Sequence, residues 1–330
     1  MKFVDEFRDP DKARALIREI ETLLPHIPRA DERPLQIMEF CGGHTHTIFR
    51  YGLEQMLPGA IELVHGPGCP VCVLPMGRVD DCVALAERPE VIFFALGFET
   101  TMPSTALTVL AAEREGIDNF SLFCNHITTV PTIKAILDSP DMQIDAFLAP
   151  GHVSMVVGEA PFRFVAEDYG KPIVITGFEP LDILQSLWMV IRQLAEGRCE
   201  VENQYRRIVP PEGNSAGLEA VAKVFELREF FEWRGLGSID HSGVRMREEY
   251  AHFDAERKFP VPSLKIADPR SCQCGEVLKG VIRPWECKVY GRQCTPQTPM
   301  GALMVSSEGT CAAYYQYGRL AVEAQRGQAG

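Results

Sequence analysis

Two cysteines separated by two residues stand in the segment GPGCPVCVLP, at residues 66–75. A C-x-x-C pair is typical of thioredoxin-like redox dithiols and of zinc half-sites. A zinc site of this kind needs a second half-site, and the chain contains no second C-x-x-C. The spacing therefore favours a redox or ligand pair formed by Cys69 and Cys72, with a zinc half-site as the alternative.

A further candidate thiol, Cys41, opens the segment CGGHTH at residues 41–46. The two glycines permit a tight turn and the close approach of a ligand. A thiol at the start of a helix is expected to have a lowered pKa, because the helix dipole favours the thiolate, which is the better metal ligand. His44 and His46 are candidates for metal ligands or proton carriers. The alternative is an inert buried cysteine beside structural histidines.

A carboxylate follows an apolar run in the segment GFETT, at residues 97–101. Glu99 is a candidate catalytic residue. The alternative is helix capping, with Thr100 or Thr101 at the N-cap and Pro103 in the first turn. The sequence contains no Walker motif and no G-x-G-x-x-G fingerprint, so it does not predict a nucleotide site.

The C-terminal third of the chain is rich in glycine, proline and cysteine. Four of its cysteines have the spacing C-x-C-x12-C-x6-C: Cys272, Cys274, Cys287 and Cys294. Four thiolates can hold a [4Fe–4S] cluster, and they can equally hold a tetrahedral zinc ion. Cys311 lies among small residues with a helical pattern and is predicted to be a less suitable ligand. Cys82 and Cys199 are predicted to be core or surface residues without a chemical role.

The 330 residues include 33 basic and 45 acidic ones, which gives a net charge of −12, and no dense run of lysine or arginine occurs. Because nucleic-acid binding depends on clustered positive charge, a nucleic-acid partner is not expected. The charged N-terminal segment lacks the apolar core of a signal peptide, and no apolar run is long enough to span a bilayer. We therefore expect a cytoplasmic protein without a membrane partner, whose eleven cysteines serve metal or redox chemistry.

Short β-rich runs alternate with helical patterns over the first two thirds of the chain. Strands are predicted at 35–40, 61–65, 91–96, 120–123, 144–148 and 172–176, with helices between them at, for example, 45–57, 78–88, 104–115 and 181–196. Apolar strands separated by helices predict an α/β fold with a parallel sheet. Ligand sites form where parallel strands end, so the residues that follow these strands are expected to converge: Cys41, Cys69, Cys72 and Glu99.

Three short similarities recur in the same order along the chain. They pair Phe40-Cys41 and His44 with Phe123-Cys124 and His126, Pro67–Cys69 with Pro150–His152, and Gly97–Glu99 with Gly177–Glu179, at offsets of 83, 83 and 80 residues. Collinear matches at a nearly constant offset predict an internal duplication of an α/β unit. We therefore predict two similar α/β domains, at residues 1–118 and 119–214, and a cysteine-rich domain at 215–330.

Taken together, these motifs resemble the HypD family of [NiFe]-hydrogenase maturation factors. The matching segments are CGGHTH at 41–46, HGPGCPVCVLPMGR at 65–78, GFETTMPSTA at 97–106, CQC at 272–274 and EGTCAAYY at 308–315. They extend from the first predicted strand to near the C-terminus, and the motif cysteines are all present.

The resemblance implies a scaffold on which the Fe(CN)2CO group is assembled jointly with a HypC-type chaperone. It implies that Cys41 binds the iron, that Cys69 and Cys72 are further metal or redox thiols, and that a HypE-type protein donates cyanide as a thiocyanate. It also implies two similar α/β domains and a C-terminal [4Fe–4S] domain, whose cluster supplies electrons through thiol–disulfide exchange.

Whether the protein is an enzyme stays open at this point. Removal of cyanide from a thiocyanate requires two electrons, which a dithiol carries together and a cluster passes singly. On that hypothesis the catalytic residues are Cys69, Cys72, His44 and Glu99, and His44 positions or protonates a leaving thiolate. One alternative is an iron–sulfur-dependent protein disulfide reductase that does not need Cys41 as an iron ligand. Another is a zinc-stabilised, non-catalytic assembly scaffold.

Overall fold

A computed structural model of the protein describes residues 5–29, 32–264, 266 and 269–318. Its strands are β1 (Leu35–Glu39), β2 (Ile61–His65), β3 (Val91–Gly97), β4 (Phe120–His126), β5 (Ala146–Pro150), β6 (Ile173–Thr176), β7 (Val201–Asn203), β8 (Phe225–Leu227), β9 (Phe230–Trp233), β10 (Gly237–Asp240) and β11 (Val244–Met246). The six strands that the sequence predicts correspond to β1–β6.

The helices lie between and after these strands. They are α1 (Pro10–Leu23), α2 (Gly42–Arg50), α3 (Leu53–Met56), α4 (Pro70–Val73), α5 (Met76–Leu85), α6 (Met102–Glu115), α7 (Thr129–Leu137), α8 (Gly151–Val157), α9 (Arg163–Glu167), α10 (Pro180–Ala195), α11 (Ser215–Val224), α12 (Ala255–Lys258), α13 (Cys274–Leu278) and α14 (Thr310–Tyr317). None of the described helices has the length and apolarity that a membrane crossing requires.

The larger sheet has five parallel strands in the order β2-β1-β5-β6-β7. Side chains of β1 alternate between its faces, and Ile37 and Met38 are both fully buried, on opposite faces. Helices α1, α2 and α10 cover the Ile37 face, and α7, α8 and α9 cover the Met38 face. The three layers explain why these strands are mostly apolar on both faces rather than alternating.

The segment Gly177–Glu179 directly precedes helix α10. The carboxylate of Asp182 accepts the backbone N–H of Glu179 at 3.2 Å, which helps to fix the start of the helix. Leu184 and Leu187 lie in the core that the helix shares with α1. Burial of one such side chain contributes roughly 1.5–3 kcal/mol, so the position of this segment rests mainly on the apolar face of α10.

A smaller parallel sheet consists of β3 and β4. Helices α6 and α11 pack on one face of this sheet, and α5 and α12 pack on the other. Strands β8 and β11 pair with each other, as do β9 and β10. Isolated bridges join Leu122 of β4 to Asp254, and Ile127, just after β4, to Gly243. The segment 215–258 therefore belongs with the smaller sheet.

The α/β fold with parallel sheets that the sequence predicts is confirmed. The sheets, however, do not divide at residue 118. Strand β1 pairs with β5 of the second predicted domain, so that β2, β1, β5, β6 and β7 share one sheet, and β3 pairs with β4 across the boundary. Of the first matched pair, Phe40-Cys41 follows β1, whereas Phe123-Cys124 and His126 lie within β4. In addition, β1 pairs with β2 whereas β4 pairs with β3. Strand pairing is decided by which apolar faces can be buried together, and that does not have to follow chain order.

Candidate functional site

The loops that follow β1 and β2 touch at the end of the larger sheet. Cys41 precedes α2 and Cys69 precedes α4, and the two parallel strands deliver both loops to the same edge. The N–H of Gly42 donates to the carbonyl of Gly68 at 3.3 Å. A Cβ at Gly68 would lie 2.5 Å from the backbone N and Cα of Cys41, so only glycine permits this approach.

The thiols of Cys69 and Cys72 are buried and interact with each other. A hydrogen bond from the Cys72 thiol, opposed by burial, lowers the pKa of Cys69 to about 7. The same interaction, together with burial, raises the pKa of Cys72. Ser306 provides a further polar contact, with its Oγ 3.6 Å from the Sγ of Cys69. Cys69 is therefore the thiol that is partly ionised at neutral pH, and Cys72 retains its proton.

The environment of Cys41 favours the protonated thiol, whereas its position before a helix predicts a stabilised thiolate. Burial and the negative charge of Glu39 raise its pKa to about 12, although the N–H groups of Gly43 and His44 favour the thiolate. The expected lowering of the Cys41 pKa is therefore wrong, because desolvation and a nearby carboxylate outweigh the helix terminus. A metal ion that binds this thiol has to displace its proton.

Glu39 organises the base of the Cys41 loop. Its carboxylate, wholly buried, accepts the N–H of Cys41 at 2.7 Å and is 2.9 Å from Nδ1 of His65, and it also accepts the hydroxyl of Thr45. Sequence reasoning missed both Glu39 and His65. The available signal was a carboxylate and a histidine at the last positions of two mostly apolar strands, shortly before the cysteine motifs.

His44 is held in the neutral form with a defined tautomer. Its Nε2 lies 3.1 Å from the carbonyl of Thr176, which can only accept, so Nε2 carries the hydrogen. Its Nδ1 has no hydrogen-bond partner in the described part of the chain and lies 3.8 Å from a Glu39 oxygen. Burial lowers the pKa of His44, which the Glu39 charge opposes.

The segment Gly177–Glu179 packs against the Cys41 loop. The ring of Phe178 lies 4.7 Å from that of His44 and stacks on His152 at 3.8 Å between centroids. A Cβ at Gly43 would lie 2.9 Å from the Phe178 ring, which accounts for the second glycine of CGGHTH. The ring of His46 instead lies edge-on to the ring of Tyr317.

Glu99 lies at the start of α7. Its carboxylate accepts the N–H of Thr129 at 2.7 Å and the hydroxyl of Thr129 at 2.8 Å, and burial raises its pKa. Thr101 precedes α6 and Pro103 lies in the first turn, but the Thr101 hydroxyl donates to the carbonyl of Phe98 instead of capping that helix. The hydrogen bonds of Glu99 are thus those of a capping residue for α7.

Five cysteines of the C-terminal segment line one small cavity: Cys272, Cys274, Cys287, Cys294 and Cys311. The Sγ atoms of Cys272 and Cys274 are 3.0 Å apart, and the N–H of Met300 donates to Cys294 Sγ at 3.4 Å. A side chain at Gly301 would collide with the thiols of both Cys272 and Cys274. Burial and the neighbouring thiols raise the pKa of Cys311, which the sequence predicted to be a poorer ligand.

The donor set of this cavity fits a thiolate-ligated iron–sulfur cluster or zinc ion in residue type and number. Among the described residues, no three side chains of the types His, Cys, Asp and Glu are yet arranged as ligands of a metal ion. The chemical character of the cavity, four buried thiols and the partly buried Cys272 beside a glycine that leaves them room, fits either group.

The turn before α14 joins this cavity to the other thiols. A Cβ at Gly309 would lie 2.9 Å from Cys72 Sγ, and one at Gly42 would contact the side chain of Glu308. Cys274 lies close enough to Cys72 to raise its pKa. Cys69 and Cys72 therefore lie between Cys41 and the C-terminal cavity, in one apolar cluster with the cavity thiols.

The remaining cysteines lie apart from this arrangement. Cys124 is buried, and its thiol donates to the carbonyl of Val244 at 3.4 Å. Cys199 is exposed and donates to Gly170 O at 3.0 Å, and Cys82 packs beside α12 on the smaller sheet. Cys82 is partly buried in α5, and Cys199 lies between the end of α10 and β7.

Comparison with known proteins identifies the family. The family model described as HypD, hydrogenase formation hypA family, matches residues 11–93 and 87–318. The hydrogenase maturation factor HypD of Rhodobacter capsulatus is 49% identical over 371 aligned positions, covering 96% of this chain and 98% of that protein. The Escherichia coli protein of the same name is 47% identical over 367 positions, covering 96% and 98%. The chain belongs to the HypD family.

Proposed function

We propose that this protein is a hydrogenase maturation factor that serves as scaffold and redox component for assembly of the Fe(CN)2CO group, jointly with a HypC-type chaperone. The observation that carries the proposal is the contact between three thiol-bearing segments, namely the Cys41 loop, the C-x-x-C pair and the C-terminal cavity. The relatives named as hydrogenase maturation factors support the same role. A cytoplasmic location belongs to the proposal.

Cys41 is the ligand for the iron cargo in this proposal. Its thiol gives up a proton to the solvent or to a neighbouring base when iron binds, because its pKa of about 12 keeps it protonated beforehand. Glu39 holds the loop through the Cys41 N–H, and the neutral His44 directs Nδ1 toward Glu39. The Nδ1 of His44 has no hydrogen-bond partner in the described part of the chain and can take up a proton, which supports the role predicted for it.

Cys69 and Cys72 are the two-electron carrier. Cys69 ionises first, since its pKa is about 7, and oxidation of the pair to a disulfide releases two electrons and the two thiol protons. Two electrons are what reductive transfer of cyanide from the thiocyanate of a HypE-type donor consumes. Glu99 contacts Thr129 rather than either thiol, so its proposed part is to position α7.

The C-terminal cavity would hold a [4Fe–4S] cluster through Cys272, Cys274, Cys287 and Cys294, with Cys311 as a fifth thiol in the same cavity. When bound, such a cluster supplies single electrons to the dithiol. The fold proposed for this region is thus an iron–sulfur domain made by residues 269–318. The segment 215–258, which packs on the smaller sheet, lies outside it.

A protein disulfide reductase is the second candidate function. The low pKa of Cys69 and its contact with the cysteine-rich cavity favour it, and Cys41 would then carry no iron. A zinc-stabilised scaffold would leave all these thiols without redox chemistry.

The test is infrared spectroscopy of the complex that the anaerobically purified protein forms with a HypC-type partner. We expect CN and CO stretching bands from the wild type and from Cys82→Ala, and none from Cys41→Ala. Cys41→Ala should still bind the partner and the cluster iron, measured by metal analysis. Bands that persist in Cys41→Ala would mean that another residue binds the iron. A wild type with no bands in any preparation would favour the reductase. Zinc instead of iron in the cavity would favour the non-catalytic scaffold.

A further inference from the structure

Strand β3 has one paired edge and one open edge. Val91 donates its backbone N–H to Asn119, just before β4, so the odd-numbered residues of β3 direct their backbone groups to β4. In a parallel ladder the alternate residues, Ile92 and Phe94, direct theirs to the opposite side. In the part of the chain that the structure describes, no strand pairs with that side.

Apolar side chains are exposed on both faces of the sheet beside this open edge. Val91 and Phe93 are 61% and 46% exposed, although every residue from 91 to 96 is apolar. Helix α5 exposes Val83 to 63%, and helix α6 exposes Leu107 to 57%. An edge strand that is apolar and uncharged normally pairs with another strand or is covered.

The comparisons indicate why this edge is open. The alignment with the Rhodobacter capsulatus relative has 371 positions whereas this chain has 330 residues, so at least 41 positions have no counterpart here. The family match breaks once, and its two parts meet at residues 87–93, at the beginning of β3. We place the unmatched positions at this break in the family match, beside β3, where their absence leaves the strand edge uncovered.

We propose that two copies of this chain associate through the open edges of β3, paired antiparallel with Phe93 on the two-fold axis. Ile92 of one copy and Phe94 of the other then exchange both backbone hydrogen bonds. The two Phe93 residues form the closely spaced pair, with Cα atoms about 4.5 Å apart. A second copy fits because the added strand must be apolar on both faces, and two-fold symmetry supplies the same apolar strand.

The test is the molar mass by analytical ultracentrifugation over a range of protein concentrations. We expect the wild type to approach twice 36.8 kDa as its concentration rises. In Phe93→Lys the dissociation constant should increase at least about tenfold, since two lysines would oppose each other across the axis. Phe230→Lys is the matched control, because Phe230 is a 59% exposed phenylalanine on another strand, and it should keep the wild-type mass.

A second measurement covers the case in which Phe93→Lys does not fold. Under mild oxidation, Phe93→Cys should form a covalent dimer on a non-reducing gel, because opposed residues of this kind lie within disulfide distance. Wild type and Ile208→Cys provide the background from other thiols. A wild type that stays monomeric at every concentration overturns the proposal, and so does equal cross-linking of Phe93→Cys and Ile208→Cys.

Discussion

The thiols of Cys69 and Cys72 differ in pKa because the hydrogen bond between them favours the thiolate of Cys69 and the protonated form of Cys72. Burial raises the pKa of both thiols. For Cys69 this effect is outweighed by the hydrogen bonds of its thiolate with the Cys72 thiol and with Ser306. The pair therefore has a defined nucleophile and a defined proton donor. This asymmetry is what thiol–disulfide exchange at neutral pH requires.

The first prediction concerns the rate at which Cys69 is alkylated as a function of pH. Only the thiolate reacts, so the rate should rise with pH, with a midpoint of about 7. In Cys72→Ala the hydrogen bond is lost and the midpoint should move up toward the ordinary thiol value of about 8.5. Iodoacetamide labelling with peptide mass spectrometry measures both. Cys199→Ala is the control. If Cys72→Ala leaves the midpoint unchanged, Cys72 is not the cause of the lowered pKa of Cys69.

At the scale of elements, short turns bring the thiols together. The loops after β1 and β2 meet at Gly68, and the turns around Gly301 and Gly309 bring the C-terminal thiols up to the pair. Helix α14 adds Cys311 from its first turn to a cavity that otherwise consists of loop residues and α13. The cavity consequently holds one thiol more than a four-thiolate site uses.

The second prediction distinguishes the cluster ligands among these five thiols. The sequence spacing predicts that Cys272→Ala, Cys274→Ala, Cys287→Ala and Cys294→Ala each lose bound iron and sulfide, and that Cys311→Ala keeps them. Visible absorption near about 400 nm and chemical iron and sulfide analysis measure the loss. Cys82→Ala serves as the control. If Cys311→Ala loses the cluster while Cys272→Ala keeps it, Cys311 replaces Cys272 in the ligand set.

At the scale of the whole molecule, the thiols that follow strands of the larger sheet lie next to those of the C-terminal segment. Cys41 is delivered by the larger sheet, the C-x-x-C pair lies beside it, and the C-terminal cavity packs on the other side of the pair. The second matched repeat contributes Phe178 and His152 to the same place. The molecule thus positions the dithiol between Cys41, which we propose as the iron ligand, and the C-terminal cavity, which we propose as the cluster site.

The third prediction follows from this arrangement. Under oxidation a Cys69–Cys72 disulfide should form, and dithionite should reduce it at least about tenfold faster in the wild type than in Cys274→Ala, since the proposed cluster would deliver the electrons. Alkylation trapping with mass spectrometry follows the disulfide, and Cys199→Ala should match the wild type. Equal reduction rates in wild type and Cys274→Ala would mean that the C-terminal cavity does not supply electrons to Cys69 and Cys72.

The sequence by itself determined the residue chemistry of this protein and the type of its elements. Alternation of apolar strands with helices was sufficient for β1–β6 and the parallel sheets, because strand and helix periods are local properties. The spacing of Cys69 and Cys72, and the glycines beside Cys41, likewise marked the thiol loops without any three-dimensional information. The complete set of motifs also carried the resemblance to the HypD family.

Only the tertiary structure decided which elements pair and what environment each thiol has. The boundary predicted at residue 118 separates strands that pair, because apolar faces are matched by long-range packing rather than by chain order. The pKa of Cys41 is raised instead of lowered because burial and Glu39 act through space, at a position where the sequence indicates only a helix start. Cys311 joins the other thiols by the packing of α14, a contact that spacing along the chain does not encode.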